Sequence, residues 1–307
     1  MDKPEVAIIV PCHNEAAAIG TVIDSFRAAR EDVQVYVYDN ASTDDTSQVA
    51  LEHGAIVRKE IRRGKGNVVR RMFADIEADI YVLVDGDDTY DPDSLNAMID
   101  RLLTDHLDMV TGKRIEQNSE AYRFGHRFGN RILAGITRSL FGRQSFDLLS
   151  GYRVMSRRFV KSFPAVSSGF EIETELTIHA LSLNIPTDEM ETPYKERPED
   201  SESKLNTYRD GVRILSSIML FTKEERPFLF FSALAAILAA LSILLGIPIT
   251  LEFFETGLVP RFPTAILAAS IMLLAFLSLT TGMTLDSVAR GRREQKRLAY
   301  LRLPWLS

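Results

Sequence analysis

The chain has 307 residues, 46% of them hydrophobic and 25% charged, with a formal net charge of −6. That length and composition suit one large domain, or a medium domain plus a smaller module, and exclude a wholly disordered chain. A single cysteine, Cys12, excludes an intramolecular disulfide and a cysteine-cluster zinc site, and points to a reducing compartment.

In chain order, Val6–Val10 is expected as a strand, Glu15–Arg30 as a helix and Val33–Tyr38 as a strand. Thr43–His53 and Gly66–Ala78 follow as helices, and Ile80–Val84 as a strand. Short apolar runs alternating with helical patterns predict an α/β domain on a mainly parallel sheet. No basic region followed by an apolar stretch lies at the amino end, so no cleaved signal peptide is expected. Between 122 and 143, Phe124, Phe128, Ile132, Ile136 and Leu140 recur at every fourth residue, interleaved with Arg123, Arg127, Arg131 and Arg138. That pattern predicts an amphipathic helix, either at a membrane interface or packed on the domain, although Gly125, Gly129 and Gly135 weaken it.

Pro227–Leu251 is a charge-free stretch of 25 residues and Phe262–Leu285 another of 24. As helices each would cross about 30 Å of hydrocarbon, so both read as transmembrane spans. Lys223 and Arg226 precede the first, and Arg290, Arg292, Arg293, Lys296, Arg297 and Arg302 follow the second, against Arg261 alone between them. This asymmetry predicts a multi-pass inner-membrane protein with the catalytic domain and both termini cytoplasmic. The tail from Asp286 carries +4 and the span region −1, leaving −9 for residues 1–226, an acidic balance that argues against a nucleic-acid partner. The expected divisions are a catalytic domain over 1–205, a juxtamembrane amphipathic segment over 206–226, a two-helix hairpin over 227–285 and a basic cytoplasmic tail over 286–307.

Sites in open α/β sheets form at the carboxyl ends of strands. There, Asp85-Gly86-Asp87 follows Ile80–Val84, and two carboxylates one residue apart suit a hard divalent cation bridging to a diphosphate; a solvated acidic turn is the competing reading. Asp39 opens the loop Asp39–Thr46 and is placed to accept hydrogen bonds from a ligand's N–H or hydroxyl groups, while Ser42 or Thr43 could cap the next helix. Lys65, between Gly64 and Gly66, offers a phosphate or nucleotide contact without the full P-loop pattern, which excludes a Walker-type ATPase. Among Glu171, Glu173 and Glu175, Glu171 and Glu175 share a helix face; one glutamate could orient sugar hydroxyls or serve as a base, or the set could form a salt-bridged surface. His13, His53, His106, His126 and His179 show no metal-ligand spacing.

Four motifs in order, Ile8–Glu15, Asp39–Thr46, Gly64–Gly66 and Asp85–Asp87, resemble the family-2 glycosyltransferases of the GT-A nucleotide-sugar fold. Asp147–Arg153, Gly169–Leu176, and Tyr194–Arg197 through Ser203-Lys204 are similar to the branch that glycosylates polyprenyl phosphates, typified by dolichyl-phosphate mannose synthase and GtrB-like bacterial enzymes. The resemblance covers about residues 5–225 and implies a GT-A domain followed by two transmembrane helices. It implies that Pro11, Asn14 and Glu15 cradle the nucleotide, that Asp39 contacts the base, and that Asp85 and Asp87 hold Mg²⁺ or Mn²⁺, with Asp87 the more direct ligand. Thr89 stands where mannose synthases usually have Gln, which leaves a third ligand position to water. Arg197, Ser203 and Lys204 match positions that hold phosphates; Asp87, Arg197 and Lys204 are the residues expected to carry the transfer. The acidic Pro198–Glu202 departs from the Gly-containing linker of that pattern.

The implied reaction is an inverting transfer of a hexose from a UDP- or GDP-linked sugar to a polyprenyl phosphate at the cytoplasmic membrane face, by an enzyme that is a homo-oligomer, a tetramer by resemblance. A polyprenyl phosphate is already an anion at neutral pH, so its attack needs positioning and charge neutralisation rather than a strong base. Two rivals stand beside it. A transferase using another lipid or a polysaccharide acceptor is weakened because the one tryptophan, Trp305, lies in the tail and not in a Gln-x-x-Arg-Trp-type motif. An inactive nucleotide-binding membrane scaffold is disfavoured by the presence of Asp85, Asp87 and Arg197.

Overall fold

The computed structural model describes residues 3–116, 147–195, 219 and 223–305. They fall into two compact units: the described residues up to 195 together with 296–305, and those from 219 to 295. The segment 122–143, Arg197, Ser203 and Lys204 lie outside the described residues.

In the first unit, β1 (Val6–Cys12), α1 (Ile19–Ala29), β2 (Val33–Asp39), α2 (Thr46–Glu52), β3 (Ile56–Lys59), α3 (Lys65–Asp75) and β4 (Ile80–Leu83) alternate strand and helix. Then come α4 (Ser94–Thr104), β5 (Met109–Glu116), β6 (Arg153–Ser156), α5 (Arg157–Ser162), α6 (Glu171–Ser182) and β7 (Thr187–Tyr194). The seven strands run in the order β3-β2-β1-β4-β6-β5-β7. β1 pairs in parallel with both β2 and β4, and β5 with β7; β6 runs antiparallel to its neighbours, so the sheet is mainly parallel as expected. Because the chain leaves β1 towards β2 on one side and returns to β4 on the other, the strand order reverses there. This is the position at which open α/β sheets bind ligands.

The strand period of two sorts the core onto both faces. Val6, Ile8 and Val10 pack with Ile19, Ile23 and Phe26 of α1 and Leu95 and Ile99 of α4. Ala7 and Ile9 pack instead with Val69, Met72 and Phe73 of α3 and Ile172 and Leu176 of α6. Burial on both faces explains why these strands read as near-continuous apolar runs.

α1 starts at Ile19 rather than Glu15. Asn14 turns the chain with φ +54°, and the backbone N–H groups of Glu15 and Ala16 donate to Thr46 Oγ1 and Asp44 Oδ2, partners that a continuous helix from Glu15 would not meet. Ser42 does not cap α2 either; its Oγ accepts from the Asn14 N–H at 3.0 Å.

The expected separate tail is different in the structure. Tyr300 is buried in the domain core, its hydroxyl donates to the buried Asp108 at 2.6 Å, and the Arg158 guanidinium lies 4.6 Å from its ring centre. Trp305 Nε1 donates to Leu107 O at 2.9 Å, and Arg297 Nη1 to Leu183 O at 2.7 Å. The last turns of the chain are thus part of the catalytic unit.

His179 of α6 is buried beside Phe159 and Phe163, and its ring nitrogens make no hydrogen bond among the described residues. Burial, with Lys296 nearby, pushes its pKa down to about 3. The folded protein therefore keeps the ring neutral, while the unfolded chain binds a proton below about 6.5. Stability from this group is full above pH 6.5 and is lost as pH falls towards 3. His179→Leu should gain on the wild type by about 1.4 kcal/mol per pH unit between pH 6 and 4. Denaturant unfolding at each pH reads this out, and a pH-independent difference would refute it.

The second unit holds two helices, α7 (Pro227–Thr256) and α8, which runs from Phe262 to Leu301 and ends in the first unit. Each is long and apolar enough to cross a membrane, its most apolar 18 residues having a mean hydropathy of 2.6 in α7 and 2.2 in α8. Gly257 ends α7 with φ +69°, and the pair is tied by Ser242 Oγ donating to Ala268 O at 2.8 Å and Ser278 Oγ to Phe231 O at 3.2 Å. α8 continues as helix well past Leu285 into the basic stretch.

Candidate active site

The loops after β1 and β2 are laced by side-chain bonds. Asn14 Oδ1 accepts from the Thr43 N–H at 2.8 Å, and the Asn40 N–H donates to Cys12 O at 2.8 Å. Asn40 also reaches forward: its amide donates to Glu60 O and Arg62 O and accepts from the Gly64 N–H, which fixes the approach to Lys65. Asp39, expected to face a ligand, accepts from the Ser42 N–H at 2.8 Å on one oxygen and from Ser47 Oγ at 2.7 Å on the other. Burial alone would raise its pKa, but these hydrogen bonds outweigh burial and hold the carboxyl below its ordinary value. Each oxygen keeps a second lone pair for a further donor. Pro11 lies within β1, paired with Tyr38, beyond the stretch of β1 that pairs with β4.

Lys65 is the first residue of α3, and its ammonium is buried between Asp85 Oδ1 and Glu173 Oε1. Burial alone would lower its pKa, but the two carboxylates outweigh that and raise it, so the amine stays charged. The position is set by backbone packing of Gly64 and Gly66 on the 167–169 loop. Gly64 has φ +125°, and a Cβ there would stand 2.2 Å from Ser168 O; the Gly66 N–H donates to Gly169 O at 3.1 Å.

The Asp85–Tyr90 loop is fastened at four points. Lys65 holds Asp85. Thr89 Oγ1 donates to Asp87 Oδ1 at 2.6 Å, so the residue standing in place of the expected Gln orients the carboxylate next to it. The Gly151 N–H donates to Tyr90 Oη at 2.7 Å, and the Lys195 N–H to Thr89 O at 2.8 Å. Gly151 lies against Asp85 so closely that a Cβ would fall 2.4 Å from Oδ2.

Around this loop, Arg153 is fully buried and donates to Ser150 O, Thr177 Oγ1 and Glu173 O, which locks α6 to β6. Arg114 forks onto both oxygens of Asp147 at 2.8 and 2.9 Å, and this pairing outweighs burial to keep the Asp147 carboxyl below its ordinary range. Burial pushes Glu189, beside Asp147, up to about 7.

The site residues read from sequence and described here, Pro11, Asn14, Glu15, Asp39, Lys65, Asp85 and Asp87, thus gather at the carboxyl ends of β1, β2 and β4. Lys65, read as a phosphate or nucleotide contact, has its charge engaged by two carboxylates in this structure. The salt-bridged surface reading fails for Glu173 and Glu175, both buried. Glu175 accepts from the Val166 and Ser167 N–H groups at 2.9 and 2.7 Å and clamps the loop before α6. Gly151, Tyr90 and Arg153 were not legible as site-forming residues, because their partners are distant in sequence. Among the described residues, no group of three or more His, Cys, Asp or Glu side chains is arranged to hold a metal by itself.

The sheet order, with carboxylates at the reversal point, defines a GT-A glycosyltransferase domain. A solved structure, glucosyl-3-phosphoglycerate synthase from Mycobacterium tuberculosis in complex with Mn²⁺, UDP-glucose and phosphoglyceric acid, shares the fold with a TM-score of 0.57 at 24% identity, over 71% of this chain and 79% of that one. Residues 7–163 match the family model described as Glycosyl transferase family 2, and the chain belongs to that family. Glycosyltransferase AglJ of Haloferax volcanii is 31% identical over 305 residues, which span 98% of this chain and 100% of the relative. A dolichyl-phosphate hexose transferase of the same organism is 28% identical over 222 residues, 72% of this chain and 96% of that protein.

Proposed function

We propose that this glycosyltransferase is an inverting, membrane-anchored enzyme that moves a hexose from a UDP- or GDP-linked sugar to a polyprenyl phosphate at the cytoplasmic face of the inner membrane. One observation carries the reading: Asp85 and Asp87 stand at the reversal point of the sheet, in a unit whose early and final residues flank an apolar two-helix hairpin. The relative named for dolichyl-phosphate hexose transfer supports the acceptor class, and the Mn²⁺ and UDP-glucose of the structural neighbour support the donor and a divalent cation.

Asp85 and Asp87, with no third His, Cys, Asp or Glu grouped with them among the described residues, suit Mg²⁺ or Mn²⁺, which take one or two carboxylates and complete their shell with phosphate oxygens and water. A zinc site would need three or four protein ligands. Asp87, with Asp85 beside it, would hold the cation, which would supply charge neutralisation for the leaving diphosphate. Pro11, Asn14, Glu15 and Asp39 line the nucleotide side, where Asp39 is kept ionised and can still accept from the base. Arg197, Ser203 and Lys204, which lie outside the described residues, are assigned to clamping phosphates by the motif resemblance. Arg197→Ala should slow transfer about a hundredfold, the loss of roughly 3 kcal/mol of charge stabilisation. Arg197→Lys should restore part of the rate, because a point charge lacks the guanidinium fork. Wild-type kinetics in either variant would remove the role.

Because residues 296–305 pack in the same unit as the amino-terminal domain, the chain between them crosses a membrane an even number of times or not at all. Together with the basic flanks, this supports a hairpin with residues 252–261 on the extracytoplasmic side. Thr256→Cys in a Cys12→Ala background should react with an impermeant thiol reagent in intact cells. Reaction of Gln295→Cys instead would invert the topology.

The reaction is tested by incubating membranes that contain the protein with a panel of radiolabelled UDP- and GDP-sugars and undecaprenyl phosphate, then extracting the lipid. Label in the lipid fraction with one donor is the expected result. Transfer to a neutral soluble acceptor instead would overturn the reading and bring Glu171 and Glu173 forward as bases.

A further inference from the structure

Lys65 poses an electrostatic problem for a cation site. Its ammonium bonds Asp85, one of the two carboxylates assigned to the metal, and an unneutralised buried ammonium there would repel a divalent cation. Glu173 bonds the same ammonium from the other side and is itself buried. The geometry around the three is rigid. Lys65 is held by the docking of Gly64 and Gly66 on the 167–169 backbone, Glu173 by the Arg153 bond to its carbonyl at 3.0 Å, and Asp85 by Gly151 against its second oxygen.

Resting on the metal reading above, we propose that Glu173 is a positioning residue for the cation site, acting through Lys65. It cancels the lysine charge, so that Lys65 can anchor Asp85 while the Asp85–Asp87 pair keeps its net attraction for Mg²⁺ or Mn²⁺. Lys65 is then a strut for Asp85 rather than a phosphate ligand. Asp87, oriented by Thr89, is the carboxylate presented to the metal.

The test is Mn²⁺ binding by the full-length protein in detergent with UDP present, followed by the electron paramagnetic resonance signal of free Mn²⁺ and independent of turnover. Glu173→Gln should weaken Mn²⁺ binding at least tenfold, because it leaves the Lys65 charge uncancelled. The double variant Lys65→Met/Glu173→Gln should recover most of that loss. If Glu173 acts through Lys65, the two substitutions are strongly non-additive. Should Glu173→Gln fail to fold because it leaves the buried ammonium with Asp85 as its one carboxylate partner among the described residues, the double variant, which removes both charges, is expected to fold and to bind Mn²⁺ with most of the wild-type affinity, the remaining loss being that of the Asp85 anchor. Wild-type Mn²⁺ affinity in folded Glu173→Gln, or a double variant as weak as Glu173→Gln, overturns the inference alone. Wild-type protein that takes up no Mn²⁺, or Asp87→Asn that binds like wild type, removes the metal reading and the inference with it.

Discussion

Asp87→Asn should reduce sugar transfer by about 10²–10³-fold while the protein stays folded and membrane-bound. Asp87 is buried at the carboxyl end of β4, and its Oδ1 accepts from Thr89 Oγ1 at 2.6 Å, a bond that aims the carboxylate without neutralising it. The amide keeps the shape and one acceptor oxygen but removes the charge that would bind the cation opposite a leaving diphosphate. Charge stabilisation of this kind contributes roughly 3–4 kcal/mol or more, which corresponds to two to three orders of magnitude in rate. The Thr89 hydroxyl can still donate to the amide oxygen, so that described bond is kept. The measurement is lipid-linked product formation over a range of Mn²⁺ concentrations, with the denaturation midpoint as control. Transfer at near wild-type rate by a folded variant would remove Asp87 from the metal site.

Gly151→Ala should cost about a hundredfold in transfer, although position 151 carries no functional group. An added Cβ would lie 2.4 Å from Asp85 Oδ2, so either Asp85 or the 151 backbone must move. Neither is free to do so: Asp85 is tied to Lys65, and the Gly151 N–H donates to Tyr90 Oη. Overpacking of this sort costs about 1–3 kcal/mol of stability. A misplacement of about 1 Å at a reacting centre costs about 10²-fold in rate. The activity loss should therefore exceed what the denaturation midpoint explains, and it should come with a weaker response to Mn²⁺. Activity within about threefold of wild type would show that the contact between Gly151 and Asp85 is dispensable.

Much of the site was legible because its signals are local. Asp85-Gly86-Asp87 directly follows an apolar strand, and Asp39 and Asn14 stand at the ends of two others, so strand ends and polar clusters coincide within a few residues. The charge-free helices and the basic flanks are likewise local features, read from length and composition alone. Helix starts were less legible, since the α1 start depends on where the N–H groups of Glu15 and Ala16 find partners about thirty residues away.

The sequence by itself determined the α/β class, the family, the two apolar helices and the strand-end carboxylates. The class, the helices and the carboxylates rest on periodicity or on spacing within a short window, and the family on the resemblance of short motifs, all of which survive without knowledge of the third dimension. Only the tertiary structure decided that Lys65 pairs with Asp85 and with Glu173, which lies 108 positions away from it. Only it decided that Glu175 clamps a loop, that Gly151 is a wall for Asp85, and that Tyr300 reaches Asp108 across 192 positions to make the tail part of the domain. Residue type says that a buried charge must find a partner, but which partner it finds is set by the packing of helices on both faces of the sheet.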